Sequence, residues 1–314
     1  MRPACHRLLL LLCLLSAAAA AAQPSAEGTE GAPELWLAGD VHLGPGGEED
    51  VLAPLAPLLA GASGVVNLEG PVSERPSSEP TKPGGKARLF QHPSALAQLQ
   101  RAGVRVAGIA NAHARDDGTA GVRRTRAALA LRGILPAGEG SVAQLTLTGG
   151  LRVAVAAVDL SRGGPPPARL ASQLSTARQD ADVLVVSLTA ADPAGAPPRP
   201  QTRAAVEAAI AAGARVVVVH GTHALGPVER RGRAVVAWGL GTLASHCRCT
   251  AQDTGLVLRV ALTREGVARA TVLPIRAGLA GAPARPADAP AETLARLEKL
   301  GSSPLKREGA GAHF

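Results

Sequence analysis

An α/β fold is predicted by three features of this 314-residue sequence. Apolar, β-branched runs alternate with helix-period segments between residues 35 and 220. Four of these runs end in short polar islands. At 46% hydrophobic residues the chain can bury a sizeable core as one large domain.

The islands are the informative part. Asp40 and His42 follow the run 35–38, and Asn67 and Glu69 follow Val65 and Val66. Asn111 and His113 follow 104–110, and His220 and His223 end the run from 216. Strand carboxyl ends form the ligand crevice of an open α/β sheet, so these side chains are expected to converge. Carboxylate oxygens with imidazole nitrogens make a donor set suited to Mn, Fe or Zn. Asp40 and His42, two apart at a strand end, are expected to share a face and one ion.

In chain order, Arg2 and Arg7 flank an apolar stretch at 8–15, and the alanines at 17–22 offer an Ala-x-Ala cleavage site. Residues 1–22 therefore read as a signal peptide, which predicts an exported protein: periplasmic, cell-surface or secreted. The apolar stretch is too short to span a bilayer core of ~30 Å, so no stable membrane span is expected after cleavage. Residues 23–33 form a polar spacer ahead of a strand that leads to Asp40. A short helix at 51–60 is interrupted by Pro54 and Pro57. The Ser/Pro/Gly/Lys-rich stretch 73–86 is a surface loop, placed after Glu69 where a substrate-binding excursion would sit.

Helices are predicted over 95–102, 121–132 and 202–212, with buried strands at 153–158, 183–188 and 216–220. Asp116 and Asp117 read as N-terminal caps of the second helix. From residue 234 the pattern becomes a β-meander: 234–238, 256–262 and 268–273. The core domain is therefore 34–275, and 276–314 is a Pro/Ala-rich extension with a short helix at 291–300 and a tail expected to be poorly ordered.

Composition narrows the function. With two Trp, two Phe and no Tyr, tyrosine chemistry is excluded and stacking platforms for single-stranded nucleic acid are not expected. The net charge of +8 comes from arginines scattered singly, without the patterning of a nucleic-acid groove. Contact with an anionic envelope polymer remains compatible with that charge. Cys247 and Cys249 are one residue apart, a spacing that disfavours a mutual disulfide, so none is expected in the mature chain.

GDVHLG (39–44), NLEGPV (67–72), AGVRVAGIANAHARDDG (102–118), AGARVVVVHGTHALGPVE (212–229) and WGLGT (238–242) stand in order over roughly 35–275. Together they resemble the CapA family of bacterial capsule and poly-γ-glutamate synthesis proteins. The resemblance implies a calcineurin-like metallophosphoesterase fold, a four-layer α/β/β/α sandwich. It also implies metal ligation by Asp40, His42, Glu69 and His223, with His113 as the acid or charge-stabilising group. Asn67, Asn111 and His220 are then supporting residues around the ligands.

Three positions depart from the family pattern: Ala112 for an Asn, Thr189 for a His and Gly221 for a His. All three belong to one ion position, so a single divalent transition metal is expected. Restoring the three family residues together is expected to return the second ion. Two functions stay open: a metal-dependent hydrolase acting on an anionic extracellular polymer or phosphoester, and a non-catalytic scaffold that binds such a polymer or the envelope proteins that make it.

Overall fold

The computed structural model describes residues 31–45, 49–74, 87–247 and 252–314. The predicted signal peptide, most of the spacer, most of the loop 73–86 and Cys249 lie outside the described residues.

The chain opens with β1 (Glu34–His42), α1 (Ala56–Leu59), β2 (Ser63–Leu68), α2 (Leu96–Arg101), β3 (Val104–Gly108), α3 (Gly118–Ala130) and β4 (Leu135–Ala137). It continues through β5 (Val142–Thr146), β6 (Arg152–Asp159), α4 (Pro167–Arg178), β7 (Val183–Thr189), α5 (Pro200–Ala211) and β8 (Ala214–His220). A strand-rich part follows: β9 (Val228–Arg231), β10 (Ala234–Ala237), β11 (Thr242–Ser245), β12 (Thr254–Thr263), β13 (Gly266–Arg276), β14 (Gly278–Leu279) and β15 (Arg285–Pro286). The chain closes with α6 (Pro290–Lys299), β16 (Lys306–Glu308) and β17 (Gly311–His313).

Strand periodicity sorts these residues into two sheets and three cores, because successive side chains on a strand point to opposite faces. Leu35 and Leu37 of β1, with Val65 and Val106, meet Val153, Val155, Val183, Val185, Val216 and Val218 in a core between the sheets. The intervening Trp36, Ala38, Val66 and Leu68 pack under Leu59, Leu96, Leu99, Val122 and Leu129 of the first helical layer. On the far side, Leu184, Val186, Val217 and Val219 pack under Leu170 and Leu174 of α4 and Val206 and Ala209 of α5. The result is an α/β/β/α sandwich whose central strands are buried on both faces, which explains their near-continuous apolar runs.

The first sheet runs β16-β17-β13-β12-β1-β2-β3-β4, and the second β5-β6-β7-β8-β10-β9. β1 to β4 are mutually parallel, as are β6, β7, β8 and β10. Their carboxyl ends therefore gather along one rim of each sheet. β1 also needs Gly39 there: a Cβ at that position would lie 2.0 Å from Gly241 O, so only glycine lets the two backbones meet. Among the described residues no helix is long and apolar enough to cross a membrane.

The carboxyl-terminal tail corrects the sequence reading. Instead of being poorly ordered, it adds β16 and β17, with β17 antiparallel to β13 through Thr271↔His313 and Val272↔Ala312. Gly311 permits this, since a Cβ there would fall 2.7 Å from Leu273 Cδ2 and 2.8 Å from Val272 O. Leu294 and Leu297 of α6 and Ala312 join the inter-sheet core, so the extension completes the domain. Leu297→Ala is accordingly expected to cost about 2–5 kcal/mol of unfolding free energy, the usual range for emptying a buried Leu site. Denaturant titration checks this, and an unchanged midpoint would mean that α6 is only an appendage.

Candidate metal centre

Asp40, Glu69 and His223 come together at the rim where the carboxyl ends of the two sheets meet. Each offers a ligand atom, and these atoms all lie within 4.8 Å of one another. Asp40 lies near the end of β1, Glu69 directly after β2 and His223 three residues beyond β8. Glu69 is fixed through its backbone, donating its N–H to Val41 O at 2.9 Å and accepting Gln91 Nε2 on its carbonyl at 2.5 Å. Gln91 also accepts Leu43 N–H on Oε1, so one buried amide joins the segments that follow β1 and β2.

Asp40 is the hub. Its Oδ1 accepts Asn67 Nδ2 at 2.8 Å and contacts His220 Nδ1 at 3.0 Å, and its Oδ2 accepts the Gly221 N–H at 3.3 Å. Asn111 donates through Nδ2 to Asn67 Oδ1 at 3.0 Å and to Leu68 O at 2.8 Å, which locks Asn67 in the orientation that donates to Asp40. Asn67, Asn111 and His220 thus buttress Asp40. Burial alone would raise the Asp40 carboxyl, but the contacts with His220 and His223 outweigh it and hold the group well below the ordinary carboxylate range.

His223 has a backbone φ of 51°, the left-handed region that a non-glycine residue rarely adopts. Its Nδ1 lies 2.9 Å from Asp40 Oδ2, and its Nε2 lies 4.0 Å from Glu69 Oε2. The approach to Asp40 draws the imidazole pKa up to about 9 against the opposing effect of burial, with help from the charges of Asp40 and Glu69. Nδ1 is nevertheless shut off from solvent without an aligned hydrogen-bond partner. Two carboxylates and an imidazole held in a strained backbone conformation, with ligand atoms this close together, make a donor set that fits a divalent transition metal, which would answer the negative charge and take the place of the imidazole proton.

His42 does not join them. Its Nε2 lies 3.0 Å from Phe90 O and its Nδ1 accepts the Cys247 N–H at 3.3 Å, so the ring serves to pin two loops. The two-residue alternation holds here: Val41 and Leu43 pack in the core under the first helical layer, so Asp40 and His42 share the opposite face, and it is the contacts with Phe90 and Cys247 that occupy His42 away from the cluster. Burial lowers the His42 pKa to about 4 despite the Phe90 carbonyl, with the charges of His246 and His113 acting in the same direction.

His113 stands on the turn after β3. Its Nδ1 lies 2.8 Å from Asp116 Oδ2, and its backbone N–H donates to Asn111 Oδ1 at 3.1 Å. Asp116 is therefore a partner of His113 and not a helix cap, and its carboxylate also accepts the Leu89 N–H at 2.8 Å. Asp117, at the cap position of α3, makes no side-chain capping bond and pairs with Arg124 instead. The His-x-x-Asp spacing carried the signal for this pair, but two adjacent aspartates before a glycine read more readily as caps. A second correction concerns Cys247, which is disulfide-bonded where a free thiol was expected.

The positions that depart from the family pattern also resolve. Thr189 and Gly221 are neighbours: a Cβ on Gly221 would lie 3.3 Å from Thr189 Cγ2. The same Cβ would lie 2.3 Å from Ala190 O, and Gly221 has a φ of 96°. No side chain fits there without moving backbone, so a histidine at 221 would have to displace the Ala190 carbonyl before it could serve a second ion position.

A model of the bacterial capsule synthesis protein family, PGA_cap, matches residues 34–246, more than half of the chain. Among solved structures, a hypothetical protein from Thermus thermophilus is similar in fold, with a TM-score of 0.54 at 14% identity over 78% of this chain and 99% of that one. No curated protein matches the chain.

The His42 pKa is about 4 when folded against an ordinary value of 6.5, so the unfolded chain binds the extra proton first. Stability from this group is complete above pH ~6.5 and is lost as pH falls towards ~4, amounting to about 3 kcal/mol. Denaturation midpoints between pH 7 and 4 should fall in the wild type and flatten in His42→Gln. Gly221→His should lower the melting temperature and add no second ion by elemental analysis; a stable variant holding two ions would refute the steric account.

Proposed function

The chain belongs to the bacterial capsule synthesis protein family, whose fold is the calcineurin-like metallophosphoesterase sandwich, and from that premise we propose that it is an exported, single-metal hydrolase acting on an anionic extracellular polymer, such as poly-γ-glutamate, or on its phosphoester precursors. The observation that carries this reading is the Asp40, Glu69 and His223 cluster, to which the His113–Asp116 pair is joined by hydrogen bonds through Asn111 and Asn67. Asp40, Glu69 and His223 would hold one Mn, Fe or Zn ion, which supplies Lewis acidity to a bound ester or amide.

The chain's own residues supply the rest. Asp116, with its side chain fully buried, accepts from His113 Nδ1 and so fixes the tautomer and orientation of the ring. His113, oriented in this way, would be the group that passes a proton to a leaving group. Asn67, Asn111 and His220 hold Asp40 in place from behind, so the ligand geometry does not have to be assembled when substrate arrives. The second reading, a scaffold that binds polymer or polymer-synthesis proteins without cleaving, is favoured by one feature, the filled space at Gly221. A two-ion clamp on both attacking and leaving oxygens is then out of reach.

Asp40→Ala and His223→Ala should each abolish metal retention, read by elemental analysis, along with any phosphodiesterase or polymer-cleaving activity. His113→Ala should keep its ion and slow turnover by roughly 10²–10⁴-fold. A wild type that holds its ion and binds polymer but cleaves neither polymer nor phosphodiester in the presence of Mn, Fe or Zn would replace the hydrolase with the scaffold.

A further inference from the structure

An arginine cluster occupies the opposite rim of the second sheet. Arg215 is the second residue of β8, and His220 at the other end of that strand contacts Asp40. At 3.2–3.4 Å per residue the two are roughly 17 Å apart along the strand. Arg233 directly precedes β10, which runs parallel to β8 through Val235↔Val216, and Arg178 closes α4. All three sit at the amino-terminal rim, away from the metal centre.

Two glycines bring these side chains together. A Cβ on Gly213 would fall 2.4 Å from Arg178 Nη1, so the Arg178 guanidinium lies against the backbone two residues before Arg215. A Cβ on Gly266 would fall 2.9 Å from Arg215 Cδ and 3.0 Å from Arg233 Cβ, so the stems of both arginines flank one backbone position.

Several other arginines are matched with carboxylates: Arg152 with Asp182, Arg231 with Glu207 and Glu229, Arg259 with Glu34, Arg285 with Asp288. Among the described residues, Arg178, Arg215 and Arg233 have no such ion pair. Burial, and then the positive charges of Arg178 and Arg233, lower the Arg215 pKa. Glu265 feels the charge of Arg233, but its carboxyl is engaged first by Thr263 and by its own backbone. Three arginines gathered at one rim, with Glu265 beside Arg233 already engaged, repel one another, and a bound oxyanion would reduce that repulsion while accepting from their planar N–H forks.

We propose that Arg178, Arg215 and Arg233 form a binding site for clustered oxyanions, the carboxylates or phosphates of an anionic polymer, separate from the Asp40 centre. The site needs neither the ion nor catalysis. It would hold a chain on one rim of the sandwich while the metal centre on the other rim remains accessible.

The test is calorimetric titration of the full chain with tripolyphosphate and with an octaglutamate peptide at two salt concentrations. Wild type should bind at least one probe, more weakly at the higher salt. The triple variant Arg178→Gln, Arg215→Gln, Arg233→Gln should bind about tenfold or more weakly, a change of about 1.4 kcal/mol. A control that removes the same charge from paired arginines, Arg101→Gln, Arg285→Gln, Arg307→Gln, should stay within about twofold of wild type, as expected of exposed pairs. The readout is binding and not turnover, so a failure of the hydrolase reading leaves this result intact. The tighter probe identifies phosphate or carboxylate as the source. Wild type binding neither probe, or the control losing as much as the triple variant, would overturn the site. If the triple variant does not fold, single Arg178→Gln and Arg233→Gln carry the test, and undiminished binding by both would overturn it equally.

Discussion

The buried carboxylate of Asp40 is the constraint on which the rest of the rim depends. A charge taken out of water must be met by donors, and here they come from both sheets: Asn67 at the end of β2, and His220, the Gly221 N–H and His223 at and beyond the end of β8. Asp40 therefore joins the two halves of the sandwich as well as offering itself to an ion. Its donors fix the depth to which β8 reaches, and with it the path of the turn 221–223. The left-handed backbone of His223 is then the cost of bringing a fourth group to the same carboxylate.

The same hub accounts for the asymmetry of the site. Gly221 turns its N–H into Asp40 and, in the conformation that allows this, has no room for a side chain beside Ala190 O. Loss of a histidine at 221 is thus tied to how the chain returns to Asp40. Thr189 packs directly against this turn, so its departure from the family pattern belongs to the same local rearrangement. The proposed single-ion reading therefore rests on a backbone arrangement at Gly221 as well as on the side chains at 112, 189 and 221.

Much of this was legible in the sequence, for definite reasons. The strands are buried on both faces, so they stand out as apolar runs, and their ends are marked where Asp40, Glu69, Asn111 and His220 interrupt those runs. What was not legible depends on pairing. His42 looks equivalent to Asp40 at a spacing of two, and only its contacts with Phe90 O and the Cys247 N–H, from segments distant in sequence, occupy it away from the cluster. Asp116 is a plausible cap by position, and its role with His113 depends on the turn that brings the two side chains together. The tail reads as Gly-rich and polar, yet Ala312 and Leu297 are buried because β13 offers an unpaired edge and the inter-sheet core an open end.

These failures share a physical cause that bears on how the site works. Local sequence specifies which face of an element is apolar, but a tertiary hydrogen bond, a sheet edge or a gathering of charge is specified only by what lies across from it. Each such feature here lies at a rim of the sheets, where strand alternation ends and irregular backbone takes over. The metal centre uses this freedom to assemble donors from elements 180 residues apart in sequence, as with Asp40 and His220. The arginines at the other rim follow the same logic in positive charge: their spacing at 178, 215 and 233 means nothing in sequence, and their meeting is created by parallel strands starting side by side. A two-sheet sandwich therefore presents rims of opposite charge requirement, one arranged around buried carboxylates that attract a cation, the other around guanidiniums that attract oxyanions.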